Sequence, residues 1–242
     1  MKDPAYIADH VRRMLKDGGS APHSVEVQRF FKEEVKSRGW YTDELRKVAR
    51  RFTRALLNEH GVEYLVRVAD QLFQGDVLEE KVFAVMLLEK NTTEFSDKDF
   101  RLFSSWLDAV SSWADHDGLV HYVIGPLIAA DHRRATQIYI WAKSKNRWRR
   151  RAAAVSLIRS MRDASCRART FPDVQKITAT LLNDSDDMVQ KGLGWLLRES
   201  AKADAKLMMP LLLEIKGNAS RLVLRTACEK LTEAQRSRVL AR

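Results

Sequence analysis

An aromatic ring and a carboxylate stand four residues apart in the segment Trp113-Ala114-Asp115-His116-Asp117. Residues with this spacing share one face of a helix, so the Trp113 indole and the Asp117 carboxylate could contact one ligand together. Two ordinary structural explanations compete with a functional site. The tryptophan could be a core residue, and the acidic cluster could begin a helix or lie in a solvated loop.

The charge of the chain indicates what kind of ligand to expect. The sequence has 42 Lys and Arg against 32 Asp and Glu, which gives a formal net charge of +10. Such a charge attracts a polyanion, either nucleic acid or an anionic membrane surface. Because no apolar run reaches the length of a membrane span and the N-terminus has no secretory signal, no membrane partner is expected. The two cysteines fit neither a disulfide framework nor a zinc site, and they are typical of a reducing cytoplasm.

Helical periodicity covers almost the whole chain, and no alternating strand pattern of useful length competes with it. Ile7, Ala8, Val11, Met14 and Leu15 form an apolar stripe that Gly18 and Gly19 end. Thr42 is expected to cap a helix that has Asp43 and Glu44 in its first turn. Further helices are predicted over residues 24–37, 62–73, 78–88 and 97–111.

Four of the helical segments resemble one another, since in each a basic residue is followed by small and apolar residues. The basic residues, Lys81, Arg151, Lys191 and Arg225, are separated by one or two lengths of a HEAT or armadillo repeat. We therefore predict an all-α fold, an α-solenoid of HEAT-like helical hairpins, as a single domain over residues 1–242. The recurring cations would make its concave face basic and suited to a duplex backbone. An irregular helical bundle is the alternative.

The densest positive charge lies in residues 143–151. On a helix, Arg147 and Arg151 share a face, whereas Arg149 points elsewhere. A solvated charged face is the usual meaning of such a run. Because Trp148 and the apolar residues 152–155 adjoin it, the run also fits an anion site in which Arg147, Trp148 and Arg151 contact DNA.

Three motifs together resemble the AlkD family of DNA alkylation repair glycosylases. They are W-A-x-x-D at 113–117, N-x-W-x-x-R-x-A at 146–153 and Q-K-x-x-G-W-x-L-R-E at 190–199. Their order and spacing match the family over most of the chain. The resemblance implies a HEAT-like solenoid that holds duplex DNA on its concave face. It also implies release of cationic N3- and N7-alkylated purines, such as 3-methyladenine and 7-methylguanine, without a base-binding pocket, as the first step of base excision repair.

The resemblance also implies which residues form the site. The family's catalytic aspartate falls on Asp117, its two sugar-contacting tryptophans on Trp113 and Trp195, and its key arginine on Arg151. Asp115 is the less suitable carboxylate because the family spacing from the tryptophan is four. Some members have a tyrosine facing the lesion where this sequence has Phe30, and this departure bears on the substrate preference rather than on the activity itself. The predicted DNA contacts are Arg151, Arg147, Trp148, Lys191 and Phe30.

The chemistry of the lesion suits these residue types. Alkylation gives the purine a positive charge and makes it a good leaving group, so bond cleavage develops cationic character on the sugar. A carboxylate stabilises that charge and orients the attacking water, which suits Asp117. The indole faces of Trp113 and Trp195 can attract the growing cation. The planar guanidinium of Arg151 is suited to clamping a phosphate.

Two other classes of protein fit parts of the sequence. One is a noncatalytic HEAT-like protein that binds branched or distorted DNA, and the other is an armadillo-like scaffold that binds acidic peptides. No metal or nucleotide cofactor is expected, because HExxH, CxxC, GxGxxG and GxxxxGK[ST] patterns are missing from the sequence. The protein is expected to be a cytoplasmic, nucleoid-associated monomer whose partner is duplex DNA containing alkylated bases.

Overall fold

The computed structural model describes residues 3–241, and every regular element in this range is helical. The all-α prediction is therefore confirmed. The α-helices are α1 (Pro4–Asp17), α2 (Ala21–Gln28), α3 (Thr42–His60), α4 (Val62–Phe73), α5 (Leu78–Leu88), α6 (Asp97–Ser105), α7 (Trp113–Leu119), α8 (Gly125–Ala130), α9 (Thr136–Ala142), α10 (Arg147–Val155), α11 (Ile158–Arg162), α12 (Ala164–Leu181), α13 (Asp187–Ala203), α14 (Ala205–Ile215), α15 (Arg221–Ala227) and α16 (Glu233–Leu240). Short 3-10 helices cover Thr92–Glu94, Trp106–Asp108 and His132–Ala135, and a π-helical turn covers Val120–Ile124.

The helices form two compact units, the first ending at Val123 and the second beginning at Ile124. The single domain over residues 1–242 stays a prediction, and its ends at Met1, Lys2 and Arg242 lie outside the described residues. Within residues 3–241, no helix combines the length and the apolar character needed to cross a bilayer. Cys166 and Cys228 are both buried thiols.

The core of the first unit is built around α4, which packs against α1, α3 and α5. Leu65, Leu72 and Phe83 are completely buried there, and removal of such side chains from water is the main stabilising contribution to folding. Helix α5 also packs against α7. The helix that carries Trp113 and Asp117 therefore rests on the core of the first unit.

The second unit is organised by α13, which contacts α10, α11, α14 and α15. A Cβ atom added at Gly194 would lie 2.9 Å from Cβ of Thr226 on α15, so this close approach depends on glycine. The four similar sequence segments lie on α5, α10, α13 and α15. Because α10, α13 and α15 pack in succession, these segments behave as repeated structural positions within the second unit.

Several helix boundaries agree with the sequence. Helices α4 and α5 have the predicted bounds, and α1 contains the predicted apolar stripe. Helix α3 begins at Thr42 itself, and Tyr41 occupies the N-cap position that was expected for Thr42. The predicted N-cap is therefore wrong by one residue.

The prediction of a helix over residues 24–37 is wrong, because α2 ends at Gln28. The side-chain carbonyl of Gln28 accepts a hydrogen bond from the backbone amide of Val35, 2.9 Å away. The carboxylate of Glu79, on α5, accepts one from the amide of Gly39 at 2.8 Å. The side chains of Gln28 and Glu79 thus accept hydrogen bonds from backbone amides that would otherwise bond to backbone carbonyls in a longer helix. Gly39 also has a φ of +75°, which lies outside the range of α-helices.

The prediction of a helix over residues 97–111 is also wrong at its end, because α6 stops at Ser105. Trp106 is completely buried in the turn that follows. Its ring stacks on Phe73 with centroids 4.5 Å apart, and its indole N–H donates to the Asp70 carboxylate at 2.8 Å. Packing of this tryptophan against α4 therefore decides where α6 ends.

Candidate functional site

The start of α7 is held by two serines and a buried aspartate. Asp115 is completely buried, and its Oδ1 accepts hydrogen bonds from the Ser112 amide at 2.7 Å and the Ser112 hydroxyl at 2.5 Å. Its Oδ2 accepts from the Ser111 amide at 2.9 Å. Ser112 and Asp115 form a reciprocal capping box, which sets the position at which the helix begins.

Lys81 on α5 completes this anchor. Its Nζ lies 3.6 Å from Oδ2 of Asp115, donates to the Ser111 hydroxyl at 3.4 Å and also donates to the carbonyl of Ala109. Lys81 is 3% exposed. The expectation that Lys81 contributes charge to an exposed basic face is therefore wrong, because its charge is used to hold the segment that leads into α7.

Trp113 and Asp117 lie on α7 beyond this anchor, both partly exposed. The Asp117 side chain is 20% exposed, and its Oδ1 lies 2.7 Å from Nδ1 of His116. The Trp113 ring stacks on Phe31 with centroids 5.1 Å apart and planes 20° apart. An accessible carboxylate and a supported indole thus stand one helical turn apart, as the sequence predicted.

Phe30 and Phe31 differ in what they contact. Phe30 is 74% exposed, whereas Phe31 packs against Trp113. Sequence reasoning singled out Phe30 and missed Phe31. The sequence feature that could have indicated Phe31 is its position next to Phe30, since the rings of neighbouring residues outside a helix can point in different directions.

In the second unit, Arg147 and Trp148 begin α10. The side chain of Asn146 caps the helix by accepting from the Trp148 amide at 2.8 Å. The Arg147 guanidinium lies over the Trp148 ring, 5.2 Å from its centroid. It also forms ion pairs with Asp186 at 2.8 Å and Asp187 at 3.1 Å. A phosphate would have to compete with these two carboxylates for Arg147.

Arg151 follows one turn later on α10 and is 5% exposed. Its Nη1 donates to the backbone carbonyl of Met188 at 2.5 Å. A Cβ atom at Gly192 would lie 2.9 Å from Cγ of Arg151, so the arginine lies along α13 where that helix has no side chain. The prediction that Arg147 and Arg151 share a face is confirmed, since both contact the first turns of α13.

Lys191 and Trp195 lie one turn apart on α13, and both are partly exposed. The Lys191 ammonium group lies 3.3 Å from the Asp187 carboxylate. The candidate residues thus form two groups, one in each unit: Trp113, Asp117 and Phe30 in the first, and Arg147, Trp148, Arg151, Lys191 and Trp195 in the second.

Comparison with known proteins identifies the family. The family model described as DNA alkylation repair enzyme matches residues 11–231. The chain belongs to this family. The resemblance seen in the three sequence motifs is therefore confirmed, while no curated protein matches the sequence.

Three solved structures share the fold of this chain. A structure described as a predicted DNA alkylation repair enzyme from Enterococcus faecalis has a TM-score of 0.76 at 17% identity, covering 89% of this chain and 97% of its own. AlkD2 from Streptococcus mutans has a TM-score of 0.59 at 20% identity, covering 76% and 88%. The protein smu.31 from Streptococcus mutans UA159 has a TM-score of 0.57 at 20% identity, covering 78% and 100%.

Much of the third motif of this DNA alkylation repair family member holds helices together. The Gln190 side chain donates to the carbonyl of Leu181 at 3.0 Å and accepts from the Ser220 hydroxyl at 2.7 Å. Gln190 therefore connects the end of α12 to the start of α15. The presence of Gln190 in the motif is explained as well by helix packing as by contact with DNA.

Glu199, at the end of the same motif, is a second structural anchor. Its carboxylate lies 2.7 Å from Arg162 and 3.1 Å from Arg198. Burial raises the pKa of the Glu199 carboxyl, but the hydrogen bonds and charges of Arg162 and Arg198 outweigh burial, so the pKa lies below its usual value of 4.5. The group stays ionised and joins α13 to α11.

Histidine and carboxylate side chains near α7 are of the types that can bind a metal ion. Among the residues that the structure describes, no group of three or more His, Cys, Asp or Glu side chains is arranged to hold a metal ion. Asp115 instead accepts from serines, and His116 contacts Asp117.

Proposed function

We propose that this member of the DNA alkylation repair family is a DNA glycosylase. It hydrolyses the N-glycosidic bond of cationic N3- and N7-alkylated purines, such as 3-methyladenine and 7-methylguanine, in duplex DNA and so initiates base excision repair. The observation that best supports the proposal is the contrast on α7. Asp117 keeps an accessible carboxylate one turn from Trp113, whereas Asp115 is buried among hydrogen-bond donors.

The proposed reaction breaks the bond between C1′ of the sugar and the purine nitrogen. The bonding electron pair leaves with the base and neutralises its positive charge, while positive charge develops on the sugar. Water adds its oxygen to C1′ and gives up a proton, so the products are a neutral free base and an abasic site. Asp117 stabilises the cationic sugar and orients or deprotonates the water.

The other candidate residues hold the substrate around this step. Trp113 and Trp195 present indole faces whose negative quadrupole attracts the sugar cation, which contributes about 0.5–2 kcal/mol each. Arg147, Arg151 and Lys191 contact phosphates, and Trp148 and Phe30 add apolar and stacking contacts to the duplex. Phe30 is 74% exposed and so is free to stack on DNA.

Selectivity in this proposal comes from the lesion rather than from a base-binding pocket. A cationic adduct already has a labile bond, so stabilisation of the sugar cation from the backbone side is sufficient. Release of neutral hypoxanthine or uracil at comparable rates would contradict this selectivity. The function is carried out by a monomer in the cytoplasm, in association with the nucleoid.

The test is release of methylated purines from alkylated duplex DNA under single-turnover conditions by the wild type and Asp117→Asn, with DNA affinity measured in parallel. We expect Asp117→Asn to bind DNA as tightly as the wild type and to release the bases roughly 100-fold more slowly, because an electrostatic contact made in the transition state is lost.

Glu59→Gln is a matched control, since it removes a carboxylate that is 68% exposed on α3 and raises the net charge by the same amount. It should release bases at the wild-type rate. A wild type that binds duplex DNA but releases no base would instead support a noncatalytic DNA-binding protein. Simple binding does not require a carboxylate, which repels phosphate, so that outcome would leave Asp117 without a function.

A further inference from the structure

We infer that His116 is a positioning residue that holds the Asp117 carboxylate in the orientation needed for hydrolysis, an inference that rests on the proposed glycosylase function. His116 is completely buried, and its Nδ1 lies 2.7 Å from Oδ1 of Asp117. The contact joins a fixed ring to a carboxylate that is itself partly exposed.

The reaction proposed for Asp117 requires an ionised carboxylate, which only accepts hydrogen bonds. In that state Nδ1 of His116 carries the hydrogen and donates it to Oδ1. Hydrogen bonds to an ionised acceptor are shorter and stronger than neutral ones, in keeping with 2.7 Å. Donation to Oδ1 restricts rotation of the carboxyl group and directs Oδ2 away from the ring.

The contact is not a by-product of helical geometry. Residues that are adjacent in a helix point in directions about 100° apart and do not normally face each other. Here the exposed member of the pair turns back to meet the buried one. This arrangement restricts the rotation of the Asp117 side chain. The restriction is useful where a carboxylate must contact a sugar and a water at fixed positions.

His116 is supported by a rigid surrounding structure. Its backbone amide donates to the carbonyl of Ser112 at 3.1 Å, inside the capping box that begins α7. The buried Asp115 and Lys81 connect the same turn to α5. Because these bonds fix the backbone of His116 and its ring is completely buried, the ring can serve as a fixed reference for the carboxylate.

The inference predicts an effect on the rate of base release and none on DNA binding. His116→Leu keeps a buried side chain of similar size but has no donor, so the hydrogen bond that orients Oδ1 of Asp117 is lost. We expect single-turnover release to fall roughly 10- to 100-fold, the usual result when a catalytic group is misplaced, while the Kd for duplex DNA stays within about twofold.

Two conservative variants separate positioning from packing. In His116→Asn the amide nitrogen lies near the position of Nδ1, so most of the lost rate should return. In His116→Gln the amide lies near the position of Nε2, so the rate should stay low. Unfolding midpoints of all three variants show whether each protein is folded under the assay conditions.

A double-mutant cycle with Asp117→Asn shows whether His116 acts through Asp117. If it does, His116→Leu combined with Asp117→Asn should be no slower than Asp117→Asn alone. Rate losses that multiply in the double variant would overturn the inference, as would a wild-type rate in His116→Leu. A wild type that releases no base would overturn the glycosylase proposal itself, so the two failures are distinguishable.

Discussion

At the scale of single residues, Asp115 and Asp117 lie two positions apart on α7 but have different surroundings. Asp115 has no exposed surface and accepts hydrogen bonds from both the amide and the hydroxyl of Ser112, with Lys81 beside it. Asp117 is 20% exposed and contacts His116. The first carboxylate is suited to stability and the second to chemistry.

This difference predicts that the same substitution at the two positions will have effects of different size on stability. Asp115→Asn replaces an accepting oxygen with an amide group that faces N–H donors and leaves the Lys81 cation without its counter-charge. We expect the free energy of unfolding to fall by about 3–5 kcal/mol, as when one partner of a buried ion pair is removed. Asp117→Asn should change it by less than about 1 kcal/mol. Denaturant unfolding of the three proteins measures both values, and an Asp115→Asn protein as stable as the wild type would contradict the anchoring function of Asp115.

At the scale of helices, α13 shows how glycine positions build the second unit. Gly192 makes room for Arg151 of α10, and Gly194 makes room for Thr226 of α15. The repeated segments combine small with apolar residues, and at Gly194 the small residue allows α13 and α15 to approach closely. What the sequence did not show is that Arg151 is buried in such a contact.

Gly194→Ala tests this packing. Alanine favours a helix over glycine by about 1 kcal/mol, but its Cβ would lie 2.9 Å from Cβ of Thr226, where neither backbone can move freely. We expect a net loss of about 1–3 kcal/mol in the free energy of unfolding, as for other overpacked sites. Gly217→Ala is the matched control, because a Cβ added there would meet open space within the described residues. Chemical denaturation should show the control at or slightly above wild-type stability. A neutral Gly194→Ala would mean that α13 and α15 separate easily.

At the scale of the whole molecule, the 42 Lys and Arg residues overstate the number of cations available to a phosphate backbone. Lys81 is buried beside Asp115, and Arg147 and Lys191 pair with carboxylates at the start of α13. Lys191 remains partly exposed, so its ammonium group is suited to binding a phosphate in place of the Asp187 carboxylate.

Salt dependence of DNA binding measures this contribution. The affinity for duplex DNA should fall steeply with salt, and Lys191→Ala should weaken it similarly for all sequences and reduce the log-log salt slope by about one. Lys98→Ala removes the same charge from α6, which carries none of the candidate DNA contacts, and should leave the slope unchanged. Binding titrations over a range of salt concentrations supply the slopes. Little affinity for duplex DNA at physiological salt would favour a scaffold for acidic peptides.

Local patterns in the sequence were sufficient to predict the helical class and the bounds of α4 and α5, and they supplied the residue types and spacing of the three motifs. Each of these depends on residues within one or a few turns of helix, where apolar periodicity and side-chain spacing are direct consequences of backbone geometry. The placement of Trp113 and Asp117 one turn apart on α7 belongs to the same group, since a spacing of four is enough to predict it.

Which side chains contact one another depends on tertiary packing, which the local sequence patterns did not predict. Helix α2 ends at Gln28, and the segment that follows it is held by Glu79, which accepts from the amide of Gly39 forty residues earlier in the chain. The sequence predicted that Lys81 and Arg151 are surface cations, yet both are buried. The burial of His116 likewise depends on the packing of α7 within the first unit, which residue spacing on the helix does not indicate. The burial of a side chain and the identity of its partner are set by residues distant in sequence, so a local sequence pattern cannot predict them.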